Sequence, residues 1–307
     1  MIPFLHLTIP TFGLMVAIGL LVAAYVLQAD FDRRRGQLQK SGRFKSAGEQ
    51  SHHDEGFLII GIAGLAGLVG ARLYHVLESP RELVADPSVL ISRFGFAWFG
   101  GFLGGFVALV ILARRFRIPV LEFMDLCSPA AAVGYAIGRI GCLLSGDGDY
   151  GIPTAMPWGM SFPNGLVPTT DRVHPTPIYE FLVACSIAWV LWRLGHLQIL
   201  RSAFERASPA AKAAGRAAPV PISDRAFRRA SPNGVTTLSR WLRPGSVFAV
   251  YLVLTGLARF LVEFIRINPR SFIGMSNAQA GGLASIIAGV VLTLWLAKKD
   301  AARASIT

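Results

Sequence analysis

Charge is what this chain has least of. Only 16% of its 307 residues are charged, against 53% hydrophobic, and acids are outnumbered 18 to 30 by Lys and Arg. A soluble domain carries roughly 25% charged residues, so a polytopic membrane protein is expected. Cysteine is sparse as well. Cys127, Cys142 and Cys185 are odd in number and sit in apolar runs, which argues against a disulfide framework, and their spacing fits no zinc site. No metal and no other cofactor is implied. The first residues lack the basic n-region and small-residue cleavage site of a signal peptide, so the first apolar run is expected to be kept as a helix. In such a protein the net charge of +12 reports cytoplasmic loops and not nucleic-acid binding.

What the chain does have is long apolar runs. Seven are long enough to span, at about 20 residues each: 11–29, 57–76, 95–115, 120–145, 177–197, 246–267 and 278–297. The expected fold is all-α, a single transmembrane domain over 1–307. The region 198–245 is rich in Ala, Arg, Pro and Ser and reads as a flexible basic cytoplasmic loop. Most Lys and Arg fall between alternate runs: Arg33 to Lys45, Arg114 to Arg117, Arg201 to Arg243, and Lys298 to Arg303. By the positive-inside rule the N-terminus is then outside and the C-terminus cytoplasmic.

That orientation gives each intramembrane polar residue a depth. Arg139 lies inside the fourth run, just before the turn Ser145-Gly146-Asp147-Gly148-Asp149-Tyr150-Gly151. A guanidinium there is costly unless it has a partner, faces a polar cavity or snorkels to the head groups. Arg72 and His75 lie three apart near the outer end of the second run. Arg259, Glu263 and Arg266, at spacings of four and three, share one face of a helix. His174-Pro175-Thr176-Pro177-Ile178-Tyr179-Glu180 opens the fifth run, and Gly100-Gly101 with Gly104-Gly105 open the third. These groups gather in the outer half of the bilayer, whereas Arg193 lies near the inner end and can snorkel. Arg259 with Glu263 is an expected ion pair, which leaves Arg72, Arg139 and Arg266 with no assigned acid. Excess guanidinium at head-group depth suits a lipid phosphate, because the planar fork grips phosphate at two points. The glycine pairs allow close helix approach, either for packing alone or for ligand contact.

At these residues the chain resembles the prolipoprotein diacylglyceryl transferases of bacterial membranes. The resemblance rests on Gly138-Arg139-Ile140-Gly141 with Tyr150-Gly151, on the His174 to Glu180 segment, and on Arg259 to Arg266; Ala71-Arg72-Leu73 and the Gly-Gly start of the third helix agree more weakly. It implies seven transmembrane helices in the bacterial inner membrane, with a periplasmic N-terminus. It implies transfer of a diacylglyceryl group from phosphatidylglycerol to the lipobox cysteine thiol of a preprolipoprotein, forming a thioether and releasing glycerol phosphate. Arg139 and Arg259 would face the phosphate and Glu263 would orient Arg259. Tyr150, Gly151, His174, Tyr179 and Glu180 would shape the site, with Arg72, Arg266, Gly100 and Gly101 completing the donor pocket.

The chain departs from the family pattern at three polar positions, where it has Phe99, Phe12 and Cys142. Phe99 stands in place of a histidine proposed as base. The remaining candidates for the thiol proton are His75, one turn after Arg72, and His174, which precedes a proline and suits positioning. The arginines alone could also favour the thiolate. Two other readings remain: a non-catalytic protein that binds anionic lipid, or a paralogue with a different acceptor. A transporter is disfavoured because the polar groups sit at one level and form no relay across the bilayer.

Overall fold

The computed structural model describes residues 11–40, 54–78, 98–213, 242–270 and 274–304. In chain order the elements are α1 (Thr11–Lys40), α2 (Glu55–Glu78), α3 (Trp98–Arg115), α4 (Val120–Ser145), β1 (Met160–Phe162), β2 (Thr169–Val173), α5 (Thr176–Ala213), α6 (Ser246–Val262) and α7 (Asn277–Ala304). Five of them, α1, α2, α4, α5 and α7, contain stretches of 23 to 26 residues long and apolar enough to cross a membrane. This is the architecture of an α-helical polytopic membrane protein. The two other apolar runs also carry helices, but shorter ones: α3 has 18 residues and α6 has 17.

Three helix ends differ from expectation. α1 does not stop before its arginines; it runs to Lys40 because Arg33 and Arg34 both fold back onto the fully buried Asp30, Arg34 at 3.2 Å. α5 runs on to Ala213, so 198–213 of the expected loop is helical, while 214–241 lies outside the described residues. α6 stops at Val262 and does not reach 267. Beyond it the chain is captured by backbone pairing: Ile152 N–H donates to the Ile265 carbonyl at 2.8 Å, and Arg266 bridges Gly151. A small antiparallel sheet, β1 with β2, also interrupts the all-α plan, pairing Met160 with Val173 and Phe162 with Thr169. Glycines 146, 148, 151, 159 and 165 and the prolines between them forbid helix there.

The chain divides into two compact units, Leu20–Met124 and the remainder. In the first, α2 and α3 pack through glycine. A Cβ on Gly100 would lie 2.3 Å from the Gly70 carbonyl oxygen, and one on Gly104 would lie 2.4 Å from that of Ala66. α1 meets α2 as closely at Gly56, whose N–H donates to Gln28 Oε1 at 2.8 Å. Small residues at such crossings let helix backbones touch where no hydrophobic effect drives them together.

In the second unit Ala132, Ile187, Ala188, Leu191 and Val247 form a buried core joining α4, α5 and α6. The buried carboxylate of Asp125 on α4 fixes the start of α6. It accepts the Gly245 and Phe248 N–H groups, each at 2.7 Å, and the Gln198 side-chain amide at 2.8 Å. Two donors at the α6 N-terminus, with no partner inside their own helix, are thereby satisfied from another helix. α7 opens with a reciprocal capping box, Ser276 Oγ accepting from the Gln279 N–H and Gln279 Oε1 from the Ser276 N–H.

Candidate active site

The second unit gathers its charged side chains where α4 ends, α5 begins and α6 ends. α4 contributes Tyr135 and Arg139, four apart on one face, with the guanidinium 5.0 Å from the ring centre. At Ser145 the helix stops and the chain reverses through Gly146 (φ 56°) and Gly148 (φ 90°), values only glycine adopts freely. The reversal turns Asp149 back toward Arg139. α5 begins at Thr176, between two prolines, and places Glu180 one turn in. α6 contributes Arg259 in its last turn and Glu263 as its C-cap. Arg266 follows from the extended backbone paired with Gly151.

These side chains form one network. Glu180 sits at its centre, fully enclosed, and takes Tyr135 Oη at 2.7 Å and Arg259 at 3.0 Å on one oxygen, Arg139 at 3.3 Å and Arg266 at 3.4 Å on the other. Asp149 bridges two guanidiniums, Arg139 at 2.5 Å on Oδ2 and Arg266 on Oδ1. Glu263, buried, lies 3.4 Å from Arg259 and 3.9 Å from Arg266, and accepts the Asn268 amide at 2.6 Å. Burial alone would raise the Asp149 pKa, but Arg266 and Arg139 outweigh it and hold the carboxyl below its usual range. Arg139 Nε, Arg266 Nε and Glu263 Oε2 are buried with no hydrogen-bond partner among the described residues.

The expected excess of unpaired arginine is corrected here. Arg139 and Arg266 both have acids, Asp149 and Glu180, so three guanidiniums face three carboxylates. Asp149 was hidden from residue counting because it lies 117 positions from Arg266. Its own setting was visible: two aspartates in a glycine turn beside an intramembrane arginine. Tyr135, Asn268 and Thr176, whose hydroxyl donates to the Asp149 carbonyl, had no comparable sequence signal.

The other expected residues divide between the units. Tyr150 is buried, stacked on Phe162 at 5.4 Å between ring centres, and donates to the Val167 carbonyl at 3.1 Å. Gly151 leaves no room for a side chain, since a Cβ there would lie 2.5 Å from the Ile265 carbonyl oxygen. His174 Nδ1 lies 3.1 Å from Tyr179 Oη, which accepts the Trp158 indole N–H at 2.7 Å. The Tyr179 hydroxyl thus links the Trp158 indole to the His174 ring. Arg72, buried, and His75, half-buried, lie on α2 in the Leu20–Met124 unit, as do Gly100 and Gly101 on α3. The structure gives both glycines a role in helix packing. Cys142, Asp147 and Asp149 bring three potential metal-ligating atoms within 4.8 Å. Two guanidiniums already hold Asp149, which makes this a poor place for a cation.

Fold and site together define a membrane-embedded protein with an arginine–carboxylate network at the ends of its helices. Comparison with known families makes this specific. The family described as prolipoprotein diacylglyceryl transferase matches residues 1–207 and 234–295, and the chain belongs to it. Among similar proteins, the phosphatidylglycerol–prolipoprotein diacylglyceryl transferase of Clostridium tetani is 28% identical over 286 residues, covering 91% of this chain and 90% of that protein. The one from Leptospira interrogans is 26% identical over 303 residues, 88% of this chain and 77% of its own length. That of Gloeobacter violaceus is 29% identical over 238 residues, 75% and 73% of the two chains.

Proposed function

We propose that this chain is a phosphatidylglycerol–prolipoprotein diacylglyceryl transferase acting in lipoprotein maturation. The observation that carries the reading is the convergence of Arg139, Arg259 and Arg266 on one enclosed network, in a chain of this family. The acceptor is the lipobox cysteine of a preprolipoprotein signal peptide. Its thiolate attacks the glycerol carbon of the diacylglyceryl group, the carbon–oxygen bond to phosphate breaks, and glycerol phosphate leaves. Charge grows on the phosphate as that bond breaks. Guanidiniums held rigidly in a poorly solvated pocket stabilise it without reorganising.

Arg139 and Arg259 are the essential phosphate contacts in this reading, and Arg266, which shares Asp149 with Arg139, binds the donor phosphate beside them. Glu180 and Glu263 hold the guanidinium planes. Tyr150, Gly151, His174 and Tyr179 shape the pocket around the donor, and Gly100 and Gly101 fix α3. The thiol of a free cysteine has a pKa of about 8.5, and we assign its proton to His75, one turn after Arg72 on α2. The protein is placed in the bacterial inner membrane with seven crossings, the N-terminus periplasmic and the C-terminus cytoplasmic, so that the network lies in the outer half.

Incubating the purified protein with phosphatidylglycerol and a lipobox peptide tests this directly. The expected product is a peptide heavier by one diacylglyceryl group, and complementation of a strain depleted of the family enzyme is expected alongside it. Arg139→Lys and Arg259→Lys keep the charge but lose the fork, and each is expected to lower the rate by about 100-fold or more. One other reading is a protein that binds anionic lipid without catalysis, favoured by Phe99, which has no group to take the thiol proton. Lipid binding with no modified peptide would select it.

A further inference from the structure

We propose that Asp149 is a resident anion that occupies the phosphate's place on Arg139 and Arg266 and is displaced when the donor binds. This rests on the phosphate-site reading above. The carboxylate gives one oxygen to each guanidinium. A phosphodiester has two non-bridging oxygens and can span the same pair. Of the three acids in the network, Asp149 is the accessible one. Its side chain is 27% exposed, against 5% for Glu180 and 1% for Glu263.

The main chain of Asp149 is held by bonds that do not involve its carboxylate. Its N–H donates to Asp147 Oδ1 at 3.2 Å and its carbonyl accepts the Thr176 hydroxyl. Rotation about the side chain alone therefore takes the carboxylate off the arginines, without melting the turn. Charge requires such a step. With Asp149 in place the network is neutral and offers a phosphodiester no net attraction. With Asp149 rotated out it carries one unpaired positive charge to meet the single negative charge of the phosphodiester. After transfer the leaving glycerol phosphate is a monoester of charge near −2, which the arginines would hold more tightly than the substrate. The returning carboxylate then competes with the product and speeds its release. Donor affinity in this scheme is lowered by the fraction of molecules in which Asp149 is already displaced.

Steady-state kinetics of the full-length protein, with phosphatidylglycerol in mixed micelles and glycerol phosphate as added product, distinguishes this role from a structural one. Asp149→Asn is expected to lower KM for the donor by about tenfold, as an occupied-site fraction near 90% gives. The same variant is expected to be inhibited by glycerol phosphate at about tenfold lower concentration, and to show a reduced kcat because product leaves slowly. A clamp that merely positions the arginines predicts the opposite sign, and a raised or unchanged KM would overturn the proposal. Asp149→Ser repeats the test, with thermal melting of both variants as a control for folding. A wild-type structure with short-chain phosphatidylglycerol bound is independent of any variant: the carboxylate is expected off Arg139, and its persistence between the two guanidiniums alongside bound phosphate would refute displacement. The underlying reading fails separately. If Arg139→Lys binds the donor as wild type does, the phosphate site is misassigned. If Arg139→Lys loses binding and Asp149→Asn gains none, only the role of Asp149 is wrong.

Discussion

A single buried acid decides how firmly the second guanidinium of the site is held. Glu263 is enclosed and faces Arg259 and Arg266. Glu263→Gln keeps its shape and removes its charge, leaving positive charge uncompensated at low dielectric, which typically costs about 3–5 kcal/mol. A lowered melting temperature together with reduced transfer is expected; unaltered melting would mean that Arg259 draws its compensation from Glu180 alone. Acid should act on the same network through Asp149. Its carboxyl titrates below the usual value in the folded protein, so its stabilising contribution is complete above about pH 4, the ordinary Asp range. That contribution is lost as pH falls through the lower folded value. Melting curves across that window should show a step that Asp149→Asn lacks. For the thiol proton, pH–rate profiles of His75→Gln and His174→Gln are informative. Loss of the alkaline-rising limb is expected only for His75→Gln, and two wild-type profiles would leave the arginines as the sole source of thiolate.

At the scale of helices, much was legible and the failures have a common cause. The apolar runs located seven helices, and the spacing of four placed Glu263 on Arg259. Both signals are local, and local periodicity survives folding. Helix ends were misjudged wherever a distant segment decided them. α6 stops at Val262 because Gly151 and Ile152, more than a hundred residues earlier, pair with Ile265 and Arg266. α1 continues through Arg33 and Arg34 because both fold back onto the buried Asp30. The network acids show the same division: Glu263 is read from its own helix, whereas Asp149 and Glu180 meet their arginines only in three dimensions. Gly100 offers a test at this scale. A methyl group there would meet the Gly70 carbonyl and Tyr74 Cβ at 2.3 Å, so Gly100→Ala must push α2 and α3 apart. Overpacking of this kind typically costs about 1–3 kcal/mol, and a melting temperature equal to wild type would show that the crossing is looser than described. Gly13, where a Cβ meets nothing within 4 Å, is the matched control.

For the molecule as a whole, the membrane orientation ties the site to its substrates. α6 has 17 residues, a rise of about 25 Å at 1.5 Å per residue, short of the roughly 30 Å hydrocarbon thickness. If α6 crosses, residues 263–266 must cover the remaining depth without helical hydrogen bonds. Irregular backbone at that depth survives only where protein satisfies it, and here Gly151 and Ile152 do so. A crossing α6 would thus leave Glu263 and Arg266 near the level of lipid phosphate at one membrane surface. Which surface that is depends on the basic loops. Arg114 and Arg115 end α3 with Arg117 just beyond, and Lys298 and Lys299 lie near the end of α7. By the positive-inside rule those ends would lie in the cytoplasm, and if each helix crosses, the end of α4, the start of α5 and the end of α6 would lie on the opposite side. Reporter fusions after Lys45 and within 205–240 are therefore expected to signal cytoplasm, and fusions near Asp86 and Thr170 the periplasm. The acceptor thiol is presented from the outer face in this scheme, so a periplasmic signal from 205–240 would put the arginine network on the wrong side of the membrane for its substrate.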